Sequence, residues 1–471
     1  MKAFGGNKKI KRRWPALGML CVAQFVVVLD VTIVAIALPE IQVDLGFSQA
    51  GLQWVISAYT LVFGGFLLLA GRAADLWGRR RLFMIGLVVF SGASLACGLA
   101  SSPISLVVAR IAQGLGAAIV APSALSSLTA AFPEGNGRGR ALGVWTAAAA
   151  GGGATGWLLG GLLSGGLGWE WVFFVNVPVG VLGVALAPFL IQESRDVTAA
   201  PRLDIAGAVS VTGGLTLLVY GITRVQEVGV TSPVTLAVLG SSVVFLAGFV
   251  AIEGSVRHPL VPLGVFRSRV LVGANLVALV LTASTTPPML MCILYVQRVL
   301  EYAPAKAGLM FPPFNVAVIG GSLLGPRIVA RLGPRSTMVL GLMAIAAGAL
   351  CFLGIPPRNG GHLLYLIPGF VLMGSGLGCA SVASTASGTS AAEGGLQGLA
   401  SGLLNSAAQI GTVLGLAILV PLSAARTEAL AGMLPEGAAL VEGFRLAFFG
   451  AAGIAASGVG ISLLFIRGKG A

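Results

Sequence analysis

Long apolar runs recur along the whole of this 471-residue chain, and they exclude a soluble globular fold. A run of about 18 or more apolar residues is long enough to cross a bilayer as a helix. Only 10% of the residues are charged, whereas soluble domains average about 25%. The pattern predicts an all-α integral membrane protein with fourteen spans. The spans cover residues 15–38, 50–70, 82–100, 104–131, 140–165, 171–191, 204–223, 232–252, 270–296, 304–325, 337–355, 363–387, 398–422 and 444–466.

Lysine and arginine residues are concentrated on one side of these spans. If the N-terminus faces the cytoplasm, the outer segments hold six basic residues: Arg224, Arg298, Lys306, Arg358, Arg426 and Arg445. Loops on the cytoplasmic side of a membrane protein carry an excess of lysine and arginine. We therefore expect a multi-pass protein of the bacterial inner membrane with both termini in the cytoplasm. The net charge of +13 then reflects topology, and no nucleic-acid partner is expected.

The basic N-terminal stretch and the cysteines indicate neither a cleaved leader nor a metal site. The apolar run after residue 14 is longer than the 7–15 residues of a signal-peptide core, so it is interpreted as the first span. The five cysteines lie in apolar runs without paired spacing. The sequence has no G-x-x-x-x-G-K-[ST] loop to hold phosphates, so ATP-driven transport is not expected.

Two stretches 255 residues apart are similar to each other. GFLLLAGRAADLWGRR at 65–80 and GGSLLGPRIVARLGPR at 320–335 share glycine, leucine and arginine positions, and both lie at the same end of a span. Parallel repeats are typical of transporters in which two bundles move around a central site. The repeat predicts an N-terminal six-helix bundle in 1–195, an inserted helix pair in 196–255 and a C-terminal six-helix bundle in 256–471.

Seven short stretches, taken in their order along the chain, carry a family resemblance. They are LDVTIVAIALP (29–39), QWVISAYTL (53–61), GRAADLWGRR (71–80), LVVARIAQGLGAA (106–118), WEWVFFVNVPVG (169–180), PRLDIAG (201–207) and GLASGLLNSAAQIGTVLG (398–415). The chain resembles the major facilitator superfamily, specifically its fourteen-helix drug:proton antiporter branch. The resemblance implies the major facilitator fold, with two six-helix bundles plus two extra central helices, and alternating access driven by protons.

The sequence departs from the pattern of that branch at several positions. The antiporter signature of span 5 reads Gly-Pro-x-x-Gly-Gly in the family, but here GWLLGG (156–161) puts Trp157 in place of the proline. A helix kink at that motif is therefore in doubt. Leu76 replaces a basic residue in the loop after span 2, Ala330 takes the place of Asp75 in the second copy, and Glu170 replaces an arginine between two tryptophans.

Asp30 lies inside span 1 and Arg110 lies inside span 4. An ionised carboxylate near the bilayer centre costs roughly 2.5–3.5 kcal/mol, so such residues tend to be functional. At 1.5 Å per residue, Asp30 lies about 12 Å and Arg110 about 9 Å below the same surface. We therefore expect the two to pair and Asp30 to carry the coupling proton. The alternative is a static pair that only fixes helix packing.

The loop after span 2 is the candidate conformational gate. Its residues are Gly71, Arg72, Asp75, Gly78, Arg79 and Arg80. The resemblance implies that Asp75 meets a helix N-terminus or an arginine of the other bundle and closes the cytoplasmic side. A carboxylate at a helix N-terminus gains about 0.3–1 kcal/mol, which suits a contact that must reopen. The alternative is a solvated turn.

Span 5 is rich in glycine. Gly152, Gly156 and Gly160 recur at four-residue spacing, with Trp157 and Gly161 beside them. Glycines on one face of a helix allow close approach of another backbone. Two interpretations predict the same residues: ordinary helix packing, or a sliding contact between the two bundles that prevents a proton leak.

Polar and aromatic residues within the spans are candidates for lining a substrate cavity, although most such residues serve packing. They are Gln24, Gln53, Trp54, Tyr59, Gln113, Trp145, Asn275, Asn315, Asn405 and Gln409. The C-terminal half has no acidic residue inside a span, which argues against an obligate need for doubly charged drugs.

The sequence thus predicts a membrane transporter rather than an enzyme. We expect a monomer that contacts membrane lipids, uses protons as its coupling ion and no cofactor, and exports lipophilic or amphipathic compounds from the cytosol or inner leaflet. Two alternatives stay open. One is a dedicated exporter of a single endogenous metabolite, antibiotic or lipid. The other is a membrane sensor or scaffold that transports nothing.

Overall fold

The computed structural model describes residues 6–132, 136–195, 203–229, 231–256, 259–358, 360–391 and 397–466. Within these ranges the chain consists of helices joined by short connections. The described part contains no β-strand, and one isolated bridge pairs Ala431 with Leu434.

The first eight helices pack together as one bundle, with α1 on α6, α4 on α5 and α8, and α3 on α5. Their bounds are α1 Gly6–Leu45, α2 Gln49–Leu52, α3 Trp54–Trp77, α4 Arg79–Gly98, α5 Pro103–Ala131, α6 Asn136–Leu167, α7 Trp171–Phe174 and α8 Asn176–Leu190. We call these helices the N-terminal bundle.

The remaining helices form an antiparallel pair and a second bundle. The pair is α9 Ile205–Val228 and α10 Pro233–Ser255. The second bundle, called the C-terminal bundle, comprises α11 Arg269–Leu294, α12 Pro304–Gly308, α13 Pro312–Leu332, α14 Pro334–Cys351, α15 Leu363–Ser390, α16 Gln397–Leu430 and α17 Glu436–Phe465. A π-helical turn, Tyr295–Val299, extends α11.

The number of membrane helices agrees with the number predicted. Thirteen helices in the described residues are long and apolar enough to cross a bilayer. The 32-residue helix α6 is the fourteenth long helix. The all-α fold with fourteen spans is therefore confirmed.

Several helices are longer than the apolar runs that predicted them, and two spans are broken. Helix α1 has 40 residues, whereas the prediction was 15–38. Hydropathy detects only the part of a helix suited to the hydrocarbon core, and the backbone hydrogen bonds continue beyond it. Span 6 is split into α7 and α8 just before Asn176, where Pro178 lacks the N–H that a helix interior needs. Span 10 is split before Pro312, which begins α13.

The two copies of the internal repeat have matching turns. Gly78 follows α3 with φ of 111°, and Gly333 follows α13 with φ of 82°. Positive φ is readily adopted only by glycine. A Cβ at Gly78 would also lie 2.7 Å from a carboxylate oxygen of Glu193. The glycines aligned by the repeat thus have the same local role at equivalent helix ends. The boundaries of the three predicted units remain predictions.

The inserted pair covers the cleft between the two bundles on one flank. Helix α9 contacts both α3 and α16. Leu61 of α3, Val219 of α9 and Val413 of α16 belong to one buried apolar cluster. The Gln53 side chain also donates a hydrogen bond to the Thr223 hydroxyl across 3.0 Å. Helix α9 therefore seals this flank from α3 to α16.

The opposite flank of the cleft is bounded by α6 and α13. Trp157 of α6 stacks on Phe311, the residue before α13, with ring centroids 4.6 Å apart, and Asn315 of α13 lies near Gly153 of α6. Nearer the start of α6 and the end of α13, both helices expose apolar side chains. There Val144 is 46% exposed and Leu323 is 71% exposed. The two flanks of the molecule are therefore different.

Candidate functional site

Asp30 and Arg110 form a buried ion pair within the N-terminal bundle. Asp30 on α1 is 0% exposed and Arg110 on α5 is 1% exposed. The guanidinium donates a hydrogen bond to Asp30 Oδ2 across 2.6 Å. Its Nε donates to the Val55 carbonyl oxygen at 2.8 Å, and its Cζ lies 4.3 Å from the centre of the Tyr59 ring. Arg110 therefore ties α5 to both α1 and α3.

Three further polar side chains complete this group. Gln113 accepts from Arg110 at 2.7 Å and donates to Asp30 Oδ1 at 2.7 Å. Asn176 donates to the same Oδ1 at 2.8 Å. The Ser94 hydroxyl accepts from Gln113 and Asn176, each at 3.1 Å, and donates to the Phe173 carbonyl at 2.9 Å. We call Asp30, Arg110, Gln113, Asn176 and Ser94 the carboxylate cluster.

The carboxylate cluster buries the carboxyl group of Asp30 in a site without contact to solvent. Charged groups are tolerated in such surroundings only when they are paired and hydrogen-bonded. Both carboxylate oxygens of Asp30 accept hydrogen bonds, so loss of the Asp30 charge would change three side-chain partners together. Within the described residues the Asn176 amide oxygen has no hydrogen-bond partner.

Sequence reasoning missed Asn176 and Ser94. Asn176 lies within WEWVFFVNVPVG, and Pro178 two residues later was a signal that a helix restarts there. As the first residue of α8, Asn176 faces α1. Ser94 carried no distinguishing signal, because isolated serines in spans usually bond to their own helix.

A cavity of about 750 Å³ lies between the two bundles. The lining includes Gln24, Asp75 and Trp145 from the N-terminal bundle, and Asn405 from α16. These residues lie toward the end of the molecule where α1 begins and α17 ends, which we call the terminal face. The linker residues Pro259 and Pro262 line its mouth there. The cavity is thus open toward the terminal face.

The opposite end, called the far face, is closed by contacts between the bundles. The Gln297 amide donates to the Ile36 carbonyl oxygen at 2.9 Å, and Arg298 donates to the Gln42 side chain. A Cβ at Gly161 would lie 2.4 Å from the Pro304 carbonyl oxygen. With the Trp157 and Phe311 stack, these contacts join α1 and α6 to the C-terminal bundle. An open groove of about 550 Å³ lies at the surface beside them, lined by residues that include Asp44 and Arg298.

The predicted cavity residues divide between the cavity and the protein interior. Gln24, Trp145 and Asn405 line the cavity. Three other candidates contact side chains inside the protein. Tyr59 and Gln113 contact Arg110, and Gln53 donates a hydrogen bond to Thr223.

The other four candidates lie against neighbouring helices. Trp54 packs on Tyr220 of α9, with ring centroids 6.3 Å apart. The Asn275 amide donates to the Leu271 carbonyl of its own helix at 2.8 Å. Asn315 lies near Gly153, and Gln409 lies against Gly64. None of these four lines the large cavity in the described structure.

The candidate gate does not contact the C-terminal bundle through Asp75. The Asp75 carboxylate accepts two hydrogen bonds from Arg79, at 2.9 and 2.8 Å, within its own loop. The backbone N–H of Arg80 donates to Glu193 at 3.2 Å. Arg72 reaches furthest, because its guanidinium donates to the Pro259 carbonyl oxygen at 3.0 Å. Gly71 lines the cavity beside it. The expected contact of Asp75 with the other bundle is absent from the described conformation, since the cavity is open at that end.

The glycines of span 5 require a correction. A Cβ at Gly152 would lie 2.3 Å from the Phe25 carbonyl oxygen of α1, and Gly156 and Gly160 also pack on α1. The three glycines therefore serve packing inside the N-terminal bundle, because their shared face points to α1. Of the five predicted residues Gly152, Gly156, Trp157, Gly160 and Gly161, two contact the C-terminal bundle, Trp157 and Gly161. Helix α6 continues without interruption through Trp157.

Comparison with known proteins decides the family. The profile of the Major Facilitator Superfamily matches residues 20–416. The chain belongs to this superfamily. The match spans α1 to α16, so both bundles and the inserted pair lie within it.

Relatives within the superfamily include resistance and export proteins of bacteria. The chain is 39% identical over 435 residues to puromycin resistance protein pur8 of Streptomyces alboniger, covering 92% of this chain and 86% of the relative. It is 38% identical to cephamycin export protein CmcT of Amycolatopsis lactamdurans, covering 90% and 88%. It is 36% identical to multidrug resistance protein Stp of Mycobacterium tuberculosis, covering 84% and 73%.

Solved structures of the superfamily share the fold at low sequence identity. The crystal structure of the POT family transporter PepTSo has a TM-score of 0.72 and 15% identity, and the match covers 96% of this chain and 98% of that one. This likeness concerns the fold alone.

Proposed function

We propose that the protein is a proton-coupled antiporter that exports lipophilic or amphipathic compounds by alternating access, and that it has no enzymatic activity. The observation that carries the proposal is the carboxylate cluster: Asp30, a fully buried acid inside a membrane span, is held by Arg110 within the bundle that forms one wall of a substrate-sized cavity. The resistance and export roles in the names of the relatives support the same class of substrate.

We further propose that the terminal face is cytoplasmic and that the protein is a monomer in the bacterial inner membrane. The distribution of lysine and arginine supports this orientation. In this orientation, the cavity opens to the cytosol and to the inner leaflet, and the closed far face lies on the external side of the membrane. A compound would then enter the cavity from the side on which an exporter collects its substrate.

In the proposed mechanism, one rigid helix links proton binding to closure of the far face. Asp30 lies on α1 about 9 Å, or six residues, from Ile36, whose carbonyl accepts the inter-bundle bond from Gln297. Protonation removes the charge of Asp30 and weakens its bond to Arg110, because charge-assisted hydrogen bonds are about twice as strong as neutral ones. The resulting shift of α1 against α5 would change the contacts at the far face.

The membrane potential supplies part of the work. Each proton moved inward gains about 2.3 kcal/mol per 100 mV. No other coupling ion or cofactor is needed in the proposal. In the alternate state, Asp75 would exchange Arg79 for a partner in the C-terminal bundle and close the terminal face. Arg72 already contacts the linker, at the Pro259 carbonyl oxygen.

A narrower function is a second candidate. Two of the relatives are named for a single antibiotic each, puromycin and cephamycin. A dedicated exporter of one endogenous compound would have the same fold and carboxylate cluster. The breadth of the substrate profile separates it from a multidrug exporter.

Substrate-induced proton release from everted vesicles tests the proposal. Wild type, Asp30→Asn and a control, Asp44→Asn, would be compared over a panel of cationic and neutral amphiphiles. Asp44 lies on the same helix near the far face, where it accepts from the Trp169 ring N–H at 2.8 Å. We expect release by wild type and the control but not by Asp30→Asn. Proton release retained by Asp30→Asn would contradict Asp30 as the carrier, and a response to one compound only would favour the dedicated exporter.

A further inference from the structure

A second, smaller pocket of about 160 Å³ opens from the transport cavity into the C-terminal bundle. Its polar lining consists of Thr282, Ser381, Ser384, Thr385, Ser401 and Asn405. Ser401 and Asn405 also line the large cavity, so the two spaces share a wall. We call this space the hydroxyl pocket.

Two of the hydroxyl groups serve helix packing. The Ser384 hydroxyl donates to the Ala274 carbonyl at 2.8 Å, which ties α15 to α11. The Thr282 hydroxyl donates to the Ala408 carbonyl at 2.5 Å, which ties α11 to α16. These bonds fix the three helices around the pocket, so that the remaining polar groups have defined positions.

The remaining groups are available to a ligand. In the described part of the chain, the side-chain hydroxyls of Ser381, Thr385 and Ser401 donate no hydrogen bond to a backbone carbonyl of their own helices. Serine and threonine in a helix commonly bond to a carbonyl three or four residues back, as Ser375 and Thr389 do elsewhere on α15.

Asn405 adds an acceptor to these hydroxyls. Its amide N–H group donates to the Ser401 carbonyl at 3.1 Å, and its side chain is exposed to the cavity. The amide oxygen is thereby directed away from its own helix. The wall of the pocket thus presents hydroxyls that can donate or accept and one amide oxygen that can only accept.

The chemistry of the lining selects a class of ligand. No charged side chain lines the hydroxyl pocket among the described residues, so it offers no partner for a cation or an anion. Groups that both donate and accept are matched best by other hydroxyls. A volume of 160 Å³ equals about five water molecules at ~30 Å³ each, which suits one ring-sized substituent.

We propose that the hydroxyl pocket is a subsite for an uncharged, hydroxyl-bearing ring, such as a sugar or cyclitol substituent, of the exported molecule. The lipophilic part of the same molecule occupies the large cavity, next to Trp145 and Phe63. The inference rests on the proposed export function, because it assigns one region of that transport cavity. It makes Ser381, Thr385 and Ser401 determinants of specificity, separate from the carboxylate cluster.

Binding to the full-length protein in lipid nanodiscs provides the test. The probes are 4-methylumbelliferyl glucoside and its aglycone, 4-methylumbelliferone, which differ by one neutral sugar ring. We expect wild type to bind the glucoside more tightly than the aglycone. Each of Thr385→Val, Ser381→Ala and Ser401→Ala should weaken glucoside binding by about 3–10-fold, the value of one net hydrogen bond, and leave aglycone binding unchanged.

A matched control lies on the same helix one turn away. Thr389→Val removes an exposed hydroxyl that bonds only to its own helix, and it should change neither affinity. Thr385→Ser should restore glucoside binding. Equal loss for both probes would overturn the proposal in favour of a packing role, and so would a glucoside preference that survives all three substitutions.

This test is independent of proton coupling. Binding in nanodiscs requires no pH gradient, so a failure of substrate-induced proton release would leave a measured glucoside preference intact. Conversely, an exporter that releases protons with amphiphiles but binds glucoside and aglycone equally would retain the proposed function and lose the hydroxyl pocket as a subsite.

Discussion

Asn176 donates a hydrogen bond to Asp30 Oδ1 across 2.8 Å, and it does so from the first residue of a helix that restarts inside the membrane span. Val175, between α7 and α8, keeps helical dihedral angles, and the start of α8 brings the Asn176 amide to α1.

Asn176→Leu should impair coupling. The substitution removes one hydrogen bond to an ionised carboxylate, worth about 1.5–3 kcal/mol, so the ionised form left after proton release becomes less stable. We expect proton release in everted vesicles to fall by about 10-fold, since 1.36 kcal/mol corresponds to a factor of ten. The two residues should also be coupled in thermal stability: Asn176→Leu should lower the Tm less in an Asp30→Asn background than in wild type, and equal losses of Tm in both backgrounds would show that the two residues act independently.

Arg110→Met should destabilise the protein strongly. It leaves Asp30 buried without its cationic partner, and breaking a buried pair in this way costs about 3–5 kcal/mol. Thermal unfolding of the purified protein would measure the loss. The double variant Asp30→Asn, Arg110→Met should recover much of the stability, because no uncompensated charge remains. A double variant as unstable as Arg110→Met would mean that Arg110 acts mainly through Val55 and Tyr59.

Trp157→Ala should shift the molecule toward states open at the far face. The Trp157 and Phe311 stack joins the two bundles, and aromatic pairs contribute about 0.5–1.5 kcal/mol beyond their buried area. Spin labels at Val43 and Met433, both exposed near the far face, should report a larger population of long distances. Labels at Trp77 and Leu332 on the terminal face should report shorter ones. An unchanged distance distribution at both faces would exclude the stack from gating.

Gly78→Ala should destabilise the turn between α3 and α4. The backbone has φ of 111° there, and the new Cβ would meet the Glu193 carboxylate. We expect a loss of about 1 kcal/mol or more, seen as a lower Tm. Gly92→Ala is the control, because nothing lies within 4 Å of a Cβ at that helical position. There alanine should be neutral or stabilising by up to about 1 kcal/mol.

Mild acid should weaken the structure around His362. Burial, followed by the nearby Lys306 charge, lowers the pKa of this histidine below its ordinary value of 6.5. The unfolded chain therefore binds a proton at His362 more readily than the folded chain, so stability falls as the pH drops below about 6.5. The fall in Tm between pH 7 and pH 5 should be smaller in His362→Gln than in wild type. A pH dependence of Tm that is the same in His362→Gln and in wild type would contradict this assignment.

The sequence was sufficient for the class of fold and for the number of helices, because the length of each apolar run is fixed by the thickness of the bilayer. The helix ends were less predictable. Helix α1 extends to Leu45, since the backbone continues its hydrogen bonds beyond the hydrocarbon core. Breaks such as the one before Pro312 depend on local proline chemistry, which hydropathy does not detect.

The candidate site was predictable only where depth in the membrane identifies a partner. Asp30 and Arg110 could be placed at similar depths from the rise of a helix. Asn176 could not be assigned to them, because depth says nothing about which face of which helix a side chain takes. The same limit explains the glycines of span 5: their spacing identified a packing face, but only the three-dimensional structure identifies α1 as the helix packed against it.

The inserted pair makes the surroundings of the cavity unequal in the plane of the membrane. Helix α9 occupies the flank between α3 and α16, whereas the flank between α6 and α13 is joined only near the far face. If compounds enter the cavity from the leaflet, as proposed above, they should pass the flank of α6 and α13 and not the flank that α9 covers. A neighbouring protein resting against α6 and α13 would cut off that supply, while one resting against the exposed side of α10 would leave it untouched. In that case the rate at which lipophilic compounds leave a crowded membrane would depend on which side of this protein its neighbours occupy.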